Sequence, residues 1–204
     1  MSQAYLWKIE DDYFSQGVKL ICGVDEAGRG PLAGPVCAAA VILPPHIEIP
    51  GLNDSKKLTD KRRRELYPII KETAIAYGIA FASHEEIDEI NILQATYLAM
   101  ERAVAQLSIS PEQLLIDGNR AKDFGIPTQL VVKGDSLSAS IAAASVLAKV
   151  TRDDWMLQAA EGYPQYGFEI HKGYGTKAHY EALTEFGACP IHRRTFLKKF
   201  YGEK

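Results

Sequence analysis

With 204 residues, 47% of them hydrophobic and 24% charged, the chain suffices for one large domain, or a domain with a small appendage, and has a globular rather than disordered or fibrous composition. The net charge of −3 excludes a uniformly basic nucleic-acid binder. That charge is unevenly spread: from His171 to Lys204 seven Lys/Arg stand against three acids, which makes this segment +4 and the remainder −7.

An acidic body with a basic arm can hold cations on one side and phosphates on the other, although a solvated amphipathic helix gives the same pattern. The first eight residues lack the basic-then-apolar order of an export signal. The apolar runs 36–43 and 139–148 fall short of the ~20 residues that span a bilayer. Cys22, Cys37 and Cys189 are scattered, with neither a CxxC nor a zinc-ligand spacing, and read as reduced thiols. The expectation is a cytoplasmic monomer with no membrane partner.

In chain order, residues 20–25 form a short apolar run ending in acids, a strand pattern, and 36–43 form a second strand stopped by Pro44-Pro45. Thr59 can cap a helix over 60–73, and 74–82 is a third strand. From 85 to 107, Ile87, Ile90, Leu93, Tyr97, Met100, Val104 and Leu107 recur at spacings of three and four and predict one helix. Short strands follow at 114–117 and 129–133, ending at Gly118-Asn119 and Gly134-Asp135, then a long Ala-rich helix over 137–160. The tail holds helices near 177–186 and 193–200. The pattern predicts an α/β fold, a mixed sheet flanked by helices, with a core over 1–160 and a helical segment over 161–204 packed on it.

Three of these strands end in acids: Asp25-Glu26, Asp117 and Asp135. Ligands collect beyond strand ends in such sheets. Neighbouring strand residues point to opposite faces, but at a fraying end both Asp25 and Glu26 can turn toward one ion. An oxygen-rich cluster suits Mg²⁺ or Mn²⁺. Two such ions ~4 Å apart promote phosphodiester hydrolysis. Taken singly, each acid is equally a turn former or a helix cap, with Asp117-Gly118 a common turn pair and Asp135-Ser136 able to cap the next helix.

Gly28-Arg29-Gly30-Pro31 follows the acid pair, and its glycines allow close backbone approach to a ligand while Arg29 can hold a phosphate. The complete string from Gly23 to Val36, GVDEAGRGPLAGPV, resembles the opening signature of ribonuclease HII, the type 2 ribonuclease H family. Further blocks resemble that family in order: Asp54-Ser55-Lys56-Lys57-Leu58, Asp117-Gly118-Asn119, Lys133-Gly134-Asp135 with 142–153, His171-Lys172-Gly173-Tyr174-Gly175-Thr176, and His192-Arg193-Arg194-Thr195-Phe196.

The resemblance implies an RNase H-like fold and metal-dependent cleavage of RNA in RNA–DNA hybrids. It also implies incision 5′ of single ribonucleotides in duplex DNA, leaving 3′-hydroxyl and 5′-phosphate ends. It implies that Asp25, Glu26, Asp117 and Asp135 are the catalytic metal ligands, and that the backbone of Gly28, Arg29 and Gly30 with the ring of Tyr174 senses the RNA–DNA junction. Only the 2′-hydroxyl marks a ribonucleotide, so a close backbone and an aromatic ring beside the neighbouring sugar make a workable detector.

Lys56 and Lys57 are candidate phosphate contacts or plain surface lysines. Ser145, Lys149 and Arg152 share one helix stripe, and if it faces the acids Lys149 offsets their charge. His46, His84 and His179 read as surface residues, and His171 and His192 have no assigned role. A related exonuclease or resolvase shares the two-metal chemistry, and a non-catalytic hybrid-binding module shares the recognition features. Neither rival requires the Gly28–Gly30 loop, Tyr174 and all four acids together.

Overall fold

The computed structural model describes residues 5–202, so Glu203 and Lys204 of the basic segment and the first four residues lie outside it. Helix α1 (Lys8–Phe14) precedes strands β1 (Ile21–Ala27) and β2 (Val36–Ile42). Helix α2 (Asp60–Thr73), strand β3 (Ala76–Ala82), helix α3 (His84–Ala105) and strands β4 (Gln113–Asp117) and β5 (Thr128–Val131) follow. Helices α4 (Ala139–Gly162), α5 (Phe168–His171), α6 (Lys177–Phe186) and α7 (Arg194–Leu197) complete the chain.

The five strands form one sheet in the order β3-β2-β1-β4-β5. The first three make an antiparallel meander, while β4 runs parallel to β1 and β5 parallel to β4. The expected mixed sheet flanked by helices is the one observed.

Alternation along β1 decides which residues meet which layer. Cys22 and Val24 point into the cluster beneath α3, with Ala38, Ala40, Ile87 and Met100. On the other face α4 lies so close that a Cβ on Gly23 would sit 2.1 Å from the Ser140 carbonyl carbon and 2.2 Å from the Ile141 nitrogen. Ala142, Ala143, Ala144 and Ala148 of α4 are fully buried against β2 and α2, which explains the Ala-rich composition there.

Several expectations need correction. The helix over 85–107 is broken at Asn91, whose φ of 66° and ψ of 163° are not helical and whose side chain caps the second half by accepting from the N–H groups of Leu93 and Gln94. Apolar spacings of three and four continue across the break, so periodicity could not show it. The last helix ends at Leu197, not near residue 200. Ser138, not Asp135-Ser136, caps α4, accepting from the Ile141 N–H. Helix α1 was not expected: one face, Ile9, Tyr13 and Phe14, packs on Ile21 and Ile141, but seven residues are too few for a periodic signal.

The tail builds a satellite core, with Met156, Tyr166, Phe168, Leu183 and Leu197 packed around Leu32 and Ala33 from the β1–β2 loop. Asp88 of α3 fixes α7 by accepting from the backbone N–H groups of Arg194 and Thr195 at 2.8 and 2.9 Å. Among the described residues no helix is long and apolar enough to cross a membrane.

The β1–α4 contact gives a direct test. Gly23→Ala forces a methyl into backbone that cannot move aside as a side chain would, at the upper end of the roughly 1–3 kcal/mol typical of overpacking. Thermal melts should show a loss of several degrees or more, and an unchanged Tm would mean that the layers are not held this tightly.

Candidate active site

Strand β1 does not fray at its acids: Asp25 pairs with Ala39, Glu26 with Ala38 and Ala27 with Cys37. The expected fraying is therefore absent, although both acids line the central cleft. Asp25 projects to the α4 face, and Glu26 to the α3 face, where it borders a recess lined by Leu93, Thr96 and Tyr97. Glu26 also reaches the rim of the central cleft and pairs with Arg29 at 3.4 Å.

Asp117 is the last residue of β4, the strand hydrogen-bonded parallel to β1. Asp135 does not end a strand, since β5 stops at Val131. It sits in the 3-10 turn Gly134–Ser136, entered through Lys133 at a left-handed φ of 59°. The Gly134 N–H donates to Asp117 Oδ1 at 2.7 Å and ties that turn to β4. One oxygen from each of Asp25, Asp117 and Asp135 lies within 4.8 Å of the others, and Glu26 stands outside this set.

Three acids so close are electrostatically strained. Burial, then Glu26 and Asp117, push the Asp25 carboxyl well above its usual range. Glu26 is raised by burial despite the opposing Arg29 guanidinium. Asp135 is pushed up to about 6, by burial and then by Asp54 and Asp117. Burial disfavours the ammonium of Lys56, but Asp135, Asp25, Asp117 and Asp54 outweigh it and the net shift is upward. Lys56 Nζ is 3.5 Å from Asp135 Oδ2, an oxygen that is buried without any hydrogen-bond partner. An orphaned carboxylate oxygen, a repulsive oxygen cluster and a hard donor set fit a bound Mg²⁺ or Mn²⁺ ion.

A cleft of about 220 Å³ is lined by the acids Asp25, Glu26 and Asp117 together with Gly28, Arg29, Gly30, Lys56, Lys149 and Tyr174, among others. The stripe of Ser145 and Lys149 faces the acids as the spacing allowed, but the Lys149 ammonium is paired with Asp153 at 2.7 Å. Tyr174 is 42% exposed, its ring 5.9 Å from Lys149 Nζ and 5.8 Å from the Arg152 guanidinium carbon. Lys57 pairs with Asp54 at 3.7 Å.

The residues that shape this cleft were the ones sequence reasoning missed. Arg193, expected in a phosphate-binding arm, is fully buried and donates to the carbonyls of Gly28, Arg29, Gly34 and Pro35. Arg152, also fully buried, donates to the carbonyls of Ala33, Pro35 and Lys172. Burial, then Arg152, push the Arg193 guanidinium down to about 9. In planar trans peptides C=O and N–H point oppositely. With the Gly28 and Arg29 carbonyls turned to Arg193, the N–H groups of Arg29 and Gly30 point away from it. Gly28, at φ +98°, leaves room for this: a Cβ there would lie 2.0 Å from Arg152 Nε.

His179, expected at the surface, is fully buried as well, and His192 is nearly so. No spacing in the sequence distinguishes such residues from solvated ones. For Arg152, His192 and Arg193 the available signal was their place inside the motif blocks; His179 lies outside them.

Known proteins resemble this chain over most of its length. A family model described as ribonuclease HII matches residues 22–199. The ribonuclease HII of Dechloromonas aromatica is 60% identical over 179 residues, 88% of this chain and 91% of that protein. That of Endomicrobium trichonymphae is 55% identical over 94% of this chain and 91% of its own length. The crystal structure of ribonuclease H2 from Pyrococcus horikoshii superposes with a TM-score of 0.72 at 25% identity, over 91% of this chain and 100% of that one.

Two measurements test the site. Mg²⁺ or Mn²⁺ at about 100 times its Kd should raise stability by about 2.7 kcal/mol. Asp135→Asn should raise the metal-free Tm, by on the order of 1 kcal/mol or more of relieved repulsion, while erasing most of the metal-dependent rise. A variant that loses stability without metal would refute the repulsion argument. Arg193→Met, which strands the carbonyls of Gly28, Arg29 and Gly34, should cost on the order of 3 kcal/mol, and a loss below about 1 kcal/mol would show that water replaces the guanidinium.

Proposed function

This chain belongs to the ribonuclease HII family, and from that premise we propose that it is an endonuclease that hydrolyses the RNA strand of RNA–DNA hybrids and incises duplex DNA 5′ of a single embedded ribonucleotide, leaving 3′-hydroxyl and 5′-phosphate ends. The observation that carries this reading is the Asp25–Asp117–Asp135 cluster, two members of which, Asp25 and Asp117, line one cleft with the Gly28–Gly30 loop and Tyr174.

Asp25, Asp117 and Asp135 hold divalent ions, Mg²⁺ or Mn²⁺, and Glu26 completes the set from the opposite face of β1. When bound, such ions activate water and stabilise the leaving 3′-oxygen. The protein's own part is alignment and discrimination. The N–H groups of Arg29 and Gly30, held rigid from behind, address the 2′-hydroxyl of the ribonucleotide. The Tyr174 ring packs beside the adjoining sugar, where a second 2′-hydroxyl would crowd it, and so marks a junction. Arg29, with a side chain 51% exposed, and Lys56, 77% exposed, reach phosphates. Lys149 steadies the rim beneath Tyr174, and the segment over 161–204 contributes to substrate binding through Tyr174. Three free thiols support a monomer working in the reducing cytoplasm.

A duplex carrying one ribonucleotide should be cut once, 5′ of that residue, while the all-DNA duplex stays intact. Asp117→Asn should lower the rate by more than the roughly 100-fold that loss of an outer-sphere partner costs, with affinity changed only a few-fold. Cleavage near the unsubstituted rate by that variant would remove Asp117 from the catalytic set.

A further inference from the structure

Three imidazoles gather behind Tyr174, none facing the acids. His171 and His179 stack with centroids 4.5 Å apart and planes 16° from parallel, and Phe168 stands edge-on to both. Each ring's proton can be placed from its partners. The Cys189 N–H donates to His192 Nδ1 at 3.0 Å, so the His192 proton sits on Nε2. That nitrogen faces His179 Nε2 at 3.0 Å, which must therefore accept. The His179 proton is then on Nδ1 and donates to the Tyr174 carbonyl at 2.9 Å. His171 follows the same logic: the Gly173 N–H donates to its Nδ1 at 3.2 Å, leaving Nε2–H for the Tyr166 carbonyl at 2.7 Å.

All three rings thus have both nitrogens engaged as neutral imidazoles, and a proton added to His179 or His192 would set N–H against N–H. Burial favours the neutral form, pushing His192 down to about 4 and His179 in the same direction.

The chain of bonds runs from the Cys189 backbone through two rings to the carbonyl of the residue whose ring lines the cleft. Beyond that carbonyl the turn is irregular and the Tyr174 ring is half free, with Gly30 across from it: a Cβ on Gly30 would lie 3.7 Å from Tyr174 Cε1. We propose that His179 and His192 are positioning residues for substrate selection: through the Tyr174 carbonyl they fix where the tyrosine ring meets the sugar beside the scissile bond. This rests on the reading of Tyr174 as the junction sensor.

The test is a double-mutant cycle read as a ratio: the incision rate on a single-ribonucleotide duplex over that on a long RNA–DNA hybrid. Tyr174→Ala should lower the ratio. His179→Phe, which keeps a ring on His171 but removes both hydrogen bonds, should lower it about tenfold, the equivalent of one well-made buried hydrogen bond. In the Tyr174→Ala background the same change should alter it by less than about twofold, because the two act through one contact. His179→Gln, which retains a donor and an acceptor, should recover part of the loss. Where His179→Phe melts below the assay temperature, His192→Gln takes its place in the cycle.

Equal losses on both substrates, or a full further loss on top of Tyr174→Ala, would overturn the positioning role and leave the Tyr174 reading standing. A ratio unmoved by Tyr174→Ala would overturn both.

Discussion

The constraint on which the structure turns is electrostatic: three carboxylates, those of Asp25 and Asp135 buried, are held with oxygens within 4.8 Å of one another. Left alone, such groups repel and either protonate or move apart. They cannot move apart here because each is anchored by backbone. Asp25 lies inside a strand paired on both sides, Asp117 ends the neighbouring parallel strand, and Asp135 is delivered by a turn whose Gly134 N–H is bonded to Asp117. Gly23 keeps β1 flush against α4, so the sheet cannot twist to relieve the crowding. The protein without metal therefore stores repulsion that a cation releases, and affinity for divalent ions is built from backbone rigidity as much as from ligand chemistry.

A second layer of order comes from the tail. Cations there were expected to reach outward to phosphates. Arg193 instead points inward, as does Arg152 of α4, each with carbonyls rather than carboxylates as hydrogen-bond partners. A buried guanidinium without a counter-ion is costly, but its planar fork can hold several carbonyl groups at once, which no neutral side chain matches. The same segment supplies the imidazole chain behind Tyr174. Its contribution to the cleft is thus the placement of the Gly28–Gly30 peptides and the Tyr174 ring, made by groups that never enter the cleft.

What could be read from sequence divides along a physical line. Strand and helix periodicity located β1, β2, α2, β4 and α6 within a residue or two, because each has a clear apolar pattern and a chemical stop such as Thr59 or Pro44-Pro45. The break at Asn91 was invisible because the apolar spacing does not change there. Asp25, Glu26 and Asp117 were legible as a group because strand ends converge, whereas Asp135 arrives on a turn beyond β5, and directions were not legible: β1 keeps its pairing through Glu26, and that sends Asp25 and Glu26 to opposite faces. Arg152, Arg193 and His179 were illegible in role, since charge and polarity argue for solvent and only three-dimensional enclosure overrides them.

That last class bears on the net charge. An acidic chain that handles nucleic acid looks contradictory until the arginines are sorted by exposure. Arg152 and Arg193 are shielded from solvent, whereas Arg29 and Lys56 stand open at the cleft and Arg194, Lys198 and Lys199 stand open on the tail. The cations at the cleft are engaged with Glu26 and Asp135. In the proposed function, divalent ions held by the acids would neutralise Glu26 and Asp135 and so free Arg29 and Lys56 for the phosphodiester, which would couple occupancy of the metal site to grip on the substrate.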